Sequence, residues 1–126
     1  MHTGGHARLD GLDWDGHRAT ASYSDTKLLV TTLMAAVARL WPDVASNAVN
    51  PGWVPTKMGG TGAPDDLEQG HETQDWLATS TAREALTSGG YWHHRQRRKP
   101  HASVADVAFQ DALLGALEAQ TGVGLT

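Results

Sequence analysis

Residues 20–40 carry apolar side chains at helical spacing on two faces, and this pattern restricts the fold more than any other stretch of the chain. The two apolar stripes are Leu29, Leu33, Ala36 and Leu40, and Val30, Met34, Val37 and Trp41. A helix that is apolar on two sides is expected to be buried on two sides. Pro42 follows the pattern and cannot continue a helix. We therefore predict a buried helix from about Thr20 to Leu40.

Strand and helix signals alternate along the rest of the chain. The predicted elements are a loop over 1–18, a strand over 44–49, a helix from Pro64 to about Ser80 carrying Leu67, Trp76 and Leu77, a strand over 91–93, a basic loop over 94–101, and a final helix opened by Ser103 to Asp106, faced by Val107, Leu114 and Leu117, and ended by Gly122. This alternation indicates an α/β domain. We predict the C-terminal part of a doubly wound parallel sheet, with about two strands and three helices.

The composition excludes several classes of protein. The chain has 126 residues, 40% of them hydrophobic, a net charge of −4 and no cysteine. One domain with a modest core fits this length, and disulfides and thiolate chemistry are excluded. The acidic balance gives no general case for nucleic acid or an anionic membrane surface. The longest apolar run, 28–38, is too short for a span of about 20 residues. No signal-peptide pattern opens the chain, and we expect a cytoplasmic protein.

Tyr23 and Lys27 are four residues apart at the start of the predicted helix. Residues at this spacing share one helix face. A lysine ammonium beside a phenol favours the phenolate, which prepares the phenol for proton exchange near neutral pH. The alternative is a surface tyrosine with an incidental lysine, so the pair gains meaning only from the sequence that follows it.

The stretch after the helix makes the pair more specific. It reads Ser46-Asn47-Ala48-Val49-Asn50-Pro51-Gly52-Trp53-Val54-Pro55-Thr56. A Tyr-x-x-x-Lys helix, a short strand and then Pro-Gly-x-Val-x-Thr resemble the short-chain dehydrogenase/reductase family, whose fold is a doubly wound Rossmann-type sheet. The match over 23–58 lies in the second half of the family pattern. Gly11-Leu12-Asp13-Trp14 and Tyr91-Trp92 resemble its retinol-dehydrogenase-like branch.

The resemblance implies a role for each matching residue. Tyr23 would be the general acid/base that exchanges a proton with an alcohol or carbonyl substrate. Lys27 would assist it and hydrogen-bond the nicotinamide ribose of NAD or NADP. The cofactor site would also include Pro51, Gly52, the backbone of Val54, and Thr56; the alternative for Pro51-Gly52 is a plain turn. The sequence does not choose between NAD and NADP or identify the substrate.

Other family features are missing. The glycine-rich turn that binds the dinucleotide is absent, since Gly4-Gly5 has neither a strand before it nor a helix after it. The serines before Lys27 are Ser22 and Ser24, which flank the tyrosine and cannot take the place of the family's catalytic serine. The resemblance puts that serine just before Met1. We therefore expect the chain to correspond to the second half of a dehydrogenase and to have little or no activity alone.

Such a half-domain has physical consequences. Its first strand would lack a neighbour on one side and present an unpaired edge. The helix over 20–40 would lose part of its cover. We therefore expect an exposed apolar patch on the Leu29/Leu33 or the Val30/Met34 stripe, with self-association or poor solubility.

Two other functions stay open. The chain is either a catalytic half or a non-catalytic remnant that serves as an interaction module, forming homo-oligomers through the helix over 23–40. A family epimerase or dehydratase also uses Tyr-x-x-x-Lys, although Pro-Gly-Trp-Val-Pro-Thr fits the reductases better. Gly59 to Gly62 would form a substrate lid or an ungated loop, and Trp53 would line the pocket or pack on that lid.

We predict no functional site at the histidines or at the basic run. His93 and His94 are adjacent on a predicted strand and would point to opposite faces, which is poor geometry for a metal site. We predict no metal. Residues 95–99 are basic but short and without interleaved aromatic residues, so we predict a solvated loop and no nucleic-acid partner.

Overall fold

Three helices and a three-stranded mixed sheet form the fold. A computed structural model describes residues 1–18 and 21–125. The main elements are α1 (Tyr23–Leu40), β1 (Ala48–Val49), α2 (Gln69–Thr79), β2 (Tyr91–His93), β3 (Gln96–Arg98) and α3 (Val107–Thr121). The sheet order is β1-β2-β3; β1 pairs with β2 in parallel, and β2 pairs with β3 antiparallel. This small α/β arrangement is consistent with part of a Rossmann-type sheet, as predicted, but it has one strand more.

Helix α1 begins later than predicted, at Tyr23, because Ser22 caps it. The Ser22 hydroxyl accepts a hydrogen bond from the Asp25 N–H at 3.1 Å, and the Asp25 carboxylate accepts one from the Ser22 N–H at 3.3 Å. This reciprocal capping box satisfies backbone donors that have no partner inside the helix. The predicted start at Thr20 lies outside the described residues. The end at Leu40 agrees with the prediction.

The buried face of α1 differs from the predicted stripes. Its fully or almost fully buried members are Leu28, Thr31, Thr32, Met34 and Ala36. The threonines tolerate burial because their hydroxyls donate to the carbonyls of residues 27 and 28, each at 2.8 Å. On the predicted second stripe, Val30 is 56% exposed, whereas Met34 is buried. The expected exposed patch on one stripe is thus reduced to Val30, since its stripe neighbour Met34 is buried and Leu29 and Leu33 are half-buried.

Strand β1 is shorter than the predicted 44–49. Residues just before it bond to the chain ahead of β2 partly through side chains, since the Ser46 N–H donates to the Ser88 hydroxyl and the Asn47 amide donates to the Thr87 carbonyl. Hydrogen bonds to side chains partly replace the backbone-to-backbone bonds of a regular strand there, so β1 is confined to two residues.

The predicted basic loop over 94–101 is wrong for its first half, because Gln96–Arg98 forms β3. His94 and Arg95 make the two-residue turn of a hairpin, with φ of 48° and 61°. Both values lie in the left-handed region that type I′ turns require. The usual signal for such a turn is Asn-Gly, and its absence hid the hairpin.

The other two helices begin later than predicted or with a different cap. Helix α2 begins at Gln69 instead of Pro64, after a turn in which the Asp66 carboxylate accepts from the Glu68 and Gln69 N–H groups. Leu67 consequently precedes the helix and is exposed. Asp106 caps α3 by accepting from two backbone N–H groups, whereas Ser103 was the predicted cap. Gly122 ends α3 with φ of 72°, as predicted.

Helix α3 buries a different face from the one predicted. Leu113 is fully buried, Leu114 and Leu117 are half-buried, and Val107 is exposed. Gln110 is also buried: its amide oxygen accepts from the Arg39 guanidinium at 2.8 Å, and its nitrogen donates to the Val104 carbonyl at 2.7 Å. This polar link joins α3 to the end of α1.

The first six residues pack onto the domain. His2 is buried with its ring edge-on to Tyr91 at 4.5 Å, and its Nε2 accepts a hydrogen bond from the His101 N–H. Burial, followed by the nearby N-terminus and His101, lowers the pKa of His2. A Cβ added to Gly5 would lie 2.5 Å from the Ser24 carbonyl oxygen. The chain start therefore touches both the sheet and the beginning of α1.

Candidate active site

A cleft of about 780 Å³ lies where the chain after β1 meets the start of α1. Its lining residues are Met1, Tyr23, Asn50, Pro51, Gly52, Trp53, Val54, Thr56, Met58, Gly59, Asp65 and His93. Every site residue predicted from the sequence except Lys27 is among them. Open α/β sheets place ligands at the carboxyl ends of their strands, and β1 and β2 both end at this cleft.

Tyr23 presents its phenol to the cleft as the first residue of α1. It is 56% exposed, and its hydroxyl donates to the Met1 sulfur at 3.3 Å. A thioether is a weak acceptor, so this contact holds the hydroxyl loosely. Lys27 lies one turn further along, with its Nζ 5.4 Å from the centre of the Tyr23 ring. That distance is within the range of a cation–π attraction.

Gly52 is required by its backbone conformation and by a neighbouring carboxylate. Its φ is 87°, which disfavours residues with a Cβ. A Cβ there would lie 2.7 Å from the Asp65 Oδ2. The same carboxylate accepts from the Trp53 N–H, and the Asn50 side chain accepts from the Gly52 N–H at 3.0 Å. The close neighbour of Gly52 is thus Asp65, which the sequence analysis did not anticipate.

A tight turn shapes the far side of the cleft. The Thr56 N–H donates to the Val54 carbonyl at 2.8 Å, and the Thr56 hydroxyl accepts from the Gly59 N–H at 3.1 Å. The Trp53 indole donates to the Gly59 carbonyl at 2.8 Å. Trp53 therefore both lines the cleft and contacts the glycine segment. Within the described ranges, the Val54 N–H has no acceptor.

His93 also lines the cleft, a position that its sequence context does not predict. Its Nδ1 lies 2.9 Å from the Asn50 carbonyl oxygen, which can only accept, so Nδ1 carries the proton. The signal that identifies it is position: Asn50 follows β1 and His93 ends β2, and parallel neighbours end at one edge. The rings of His93 and His94 are 3.8 Å apart. No group of three or more potential ligands suited to a metal occurs in the described part of the chain.

Asp25 lies between Tyr23 and Lys27 and anchors the chain start to α1. Its carboxylate accepts from the His6 N–H at 2.7 Å. That bond is the largest cause of the lowered pKa of Asp25. Together with the hydrogen bonds to Ser22 and to the His6 side chain, it outweighs the opposing effect of burial and brings the pKa of Asp25 to about 2, from an ordinary 3.8. A carboxylate so bound holds the first turn of α1 and the segment leading to Met1 together.

Replacing Asp25 with asparagine should make the chain less stable at neutral pH and flatten its acid response. A depressed folded pKa gives stability that is present above the unfolded value near pH 4 and is lost as the pH falls through about 2. Urea unfolding between pH 2 and pH 7 measures this. Asp43→Asn, an exposed carboxylate in a turn, is the matched control. Equal pH profiles for the two variants would contradict the anchoring role.

The chain is similar to several curated oxidoreductases. Over 104 residues it is 39% identical to the short-chain dehydrogenase chry4 of Gibberella zeae and 34% identical to the short-chain dehydrogenase chyC of Penicillium rubens, covering 82% of this chain and 40% of each relative. It is 32% identical over 106 residues to the uncharacterized oxidoreductase AN7799 of Emericella nidulans, covering 82% of this chain and 42% of that protein.

The chain thus spans about two-fifths of the length of these relatives. No protein-family model and no solved structure matches it. Among the described residues, none of the helices has the length and apolar character needed to cross a membrane. Two of these relatives are named short-chain dehydrogenases and the third an oxidoreductase, and these names support placing this chain in the short-chain dehydrogenase family.

Proposed function

We propose that this chain is the C-terminal half of a short-chain dehydrogenase that transfers hydride between NAD or NADP and an alcohol or carbonyl substrate. The observation that carries the proposal is the single cleft that joins the Tyr23 phenol to the Pro51–Thr56 segment. Residues 28 positions apart in sequence line one cavity, in the arrangement that proton exchange beside a bound nicotinamide needs.

Tyr23 exchanges the proton in this proposal. Its hydroxyl is reachable, since the side chain is half exposed and its partner is a weakly accepting sulfur. When a carbonyl is reduced, the phenol gives its proton to the developing alkoxide; when an alcohol is oxidised, the phenolate takes it. The Lys27 ammonium lies 5.4 Å from the ring centre, within the range of a cation–π contact with the phenol ring.

The residues after β1 suit a nicotinamide with its amide group. The cleft volume of about 780 Å³ lies in the range of small-molecule sites. The Val54 N–H is a donor without an acceptor in the described part of the chain, and Thr56 adds a hydroxyl. Pro51 and Gly52 supply the adjoining wall. The cofactor, when bound, supplies the hydride chemistry.

The contact between Met1 and Tyr23 bears on the missing serine. The family serine is expected just before Met1, and the Met1 side chain touches the phenol hydroxyl at 3.3 Å. We extend the proposal to the retinol-dehydrogenase-like branch and to a cytoplasmic location, which rest on the motifs and the composition.

One observation supports the alternative of a non-catalytic interaction module. Val30 is 56% exposed on α1, and Leu29 and Leu33 are half-buried. An apolar helix face of this kind suits contact with a second copy of the chain. Sedimentation of the wild type and of Val30→Glu distinguishes the module from the half-enzyme. A dimer that the substitution dissociates would favour the module.

Two measurements test the half-enzyme proposal. The nucleotide sequence upstream of Met1, read in the same frame, should encode a strand ending in a serine and a glycine-rich turn; a stop codon immediately upstream would favour the module. Titration of the 126-residue chain with NADH and NADPH should show no saturable micromolar binding, because half of the dinucleotide site is missing. Tight binding would overturn the expectation that these residues alone bind the cofactor poorly.

A further inference from the structure

A second cavity lies on the side of the sheet where α2 meets the hairpin of β2 and β3. Its volume is about 420 Å³, and its lining residues are Trp76, Glu84, Thr87, Trp92, Arg95 and Arg97. It shares no residue with the Tyr23 cleft, so nothing in the dehydrogenase proposal uses it. Its volume falls within the range of small-molecule sites.

The hairpin turn positions Arg95 at this cavity. Arg95 has a left-handed φ of 61°, a conformation that is strained for a residue with a Cβ. The turn is tied to α2, since the Arg95 N–H donates to the hydroxyl of the buried Thr73 at 2.9 Å. The Arg95 guanidinium lies 5.1 Å from the centre of the Trp76 ring. The strained turn therefore holds a cation beside an aromatic wall.

Arg97 lies on the same face of the sheet as the aromatic floor. It is the direct antiparallel partner of Trp92, and paired residues put their side chains on one face. Trp92 is buried and meets Trp76 edge-on at 5.4 Å. The cavity thus combines two indole rings with two guanidinium groups.

Arg95 and Arg97 are exposed to solvent and form no ion pair with another described residue. In the described residues, neither Arg95 nor Arg97 has a carboxylate within 4.0 Å. Glu84 is the one carboxylate in the lining, so the wall carries two positive charges against one negative. In a chain with a net charge of −4, this is a local excess of positive charge. Guanidinium groups form paired hydrogen bonds with planar anions such as carboxylates.

We propose that this cavity is a binding site for a small planar aromatic anion, with its ring against Trp76 and its carboxylate at Arg95 and Arg97. The aromatic wall supplies the apolar contact, and the arginines supply selectivity for the charge. The site is separate from the Tyr23 cleft, so its occupancy does not depend on the dehydrogenase proposal.

Heteronuclear NMR of the 126-residue chain with naphthoate as the probe tests this site. We expect saturable shifts of the Trp76 and Trp92 indole signals with a Kd below about 1 mM. Arg97→Gln should weaken binding about tenfold, which is the loss of one charge-assisted contact. Naphthylmethanol, the neutral analogue, should bind about tenfold more weakly than naphthoate for the same reason.

Arg98→Gln is the matched control, because Arg98 is the next residue of β3 and its side chain points to the opposite face of the sheet. It removes the same charge and should leave the Kd unchanged. Three outcomes would overturn the site: no saturation by naphthoate, equal affinity for the wild type and Arg97→Gln, or indole shifts at Trp53 in place of Trp76. None of these readouts requires dehydrogenase activity.

Discussion

Replacing Tyr23 with phenylalanine should lower kcat about 10²- to 10⁴-fold in the protein translated from the full reading frame that contains these residues. This is the usual contribution of a positioned general acid/base, and only the hydroxyl that exchanges the proton is removed. KM should change little, since the ring stays in place. Because Tyr23 is half exposed, the substitution should not unfold the protein. Steady-state rates with reduced cofactor and a panel of ketones measure the effect.

Tyr91→Phe is the matched control for that substitution. Tyr91 is the second of the two tyrosines in the chain, lies buried in β2, and is outside the cleft. It should retain nearly all of the activity. Equal rates for Tyr23→Phe and the wild type would remove Tyr23 from the proposed mechanism, whereas equal losses in both variants would indicate a structural effect.

Replacing Leu28 with alanine should cost about 2–5 kcal/mol of unfolding free energy, the range for a buried leucine reduced to alanine. Leu28 is 0% exposed on α1, one residue after Lys27. A domain of this size has about 5–15 kcal/mol in total, so the variant should be close to unfolding. Urea unfolding of the 126-residue chain gives the value.

Val30→Ala is the comparison on the same helix. Val30 is 56% exposed, and its truncation should cost less than about 1 kcal/mol. Similar losses for the two variants would mean that α1 buries the stripe predicted from its apolar residues and not the face described here.

Local signals were enough to predict the three α-helices and the strands β1 and β2, although not all of their bounds. The long run of apolar residues at helical spacing located α1, and Pro42 and Gly122 indicated where α1 and α3 end. The position of the Pro51–Thr56 segment was foreseeable because the chain that follows a strand lies at the carboxyl edge of the sheet, where open α/β sheets place ligands. Tyr23 and Thr56 line one cavity, as the resemblance implied.

Features that depend on distant partners could not be read from the chain. Burial of Gln110 depends on Arg39 and Val104, and burial of His2 depends on Tyr91 and His101. The left-handed turn before β3 lacks glycine and is stabilised by contacts with α2. In each case long-range contacts decide what the local pattern leaves open.

Hydride transfer beside Tyr23 is tested most directly by isotope transfer in the protein of the full reading frame. The reduced cofactor carries deuterium at its transferable position, and the alcohol product formed from a ketone is analysed by mass spectrometry. We predict a product that carries the cofactor's deuterium, formed by the wild type and by Tyr91→Phe but nearly absent with Tyr23→Phe. Saturable cofactor binding by a folded protein with no labelled product from any ketone would contradict the proposed dehydrogenase function.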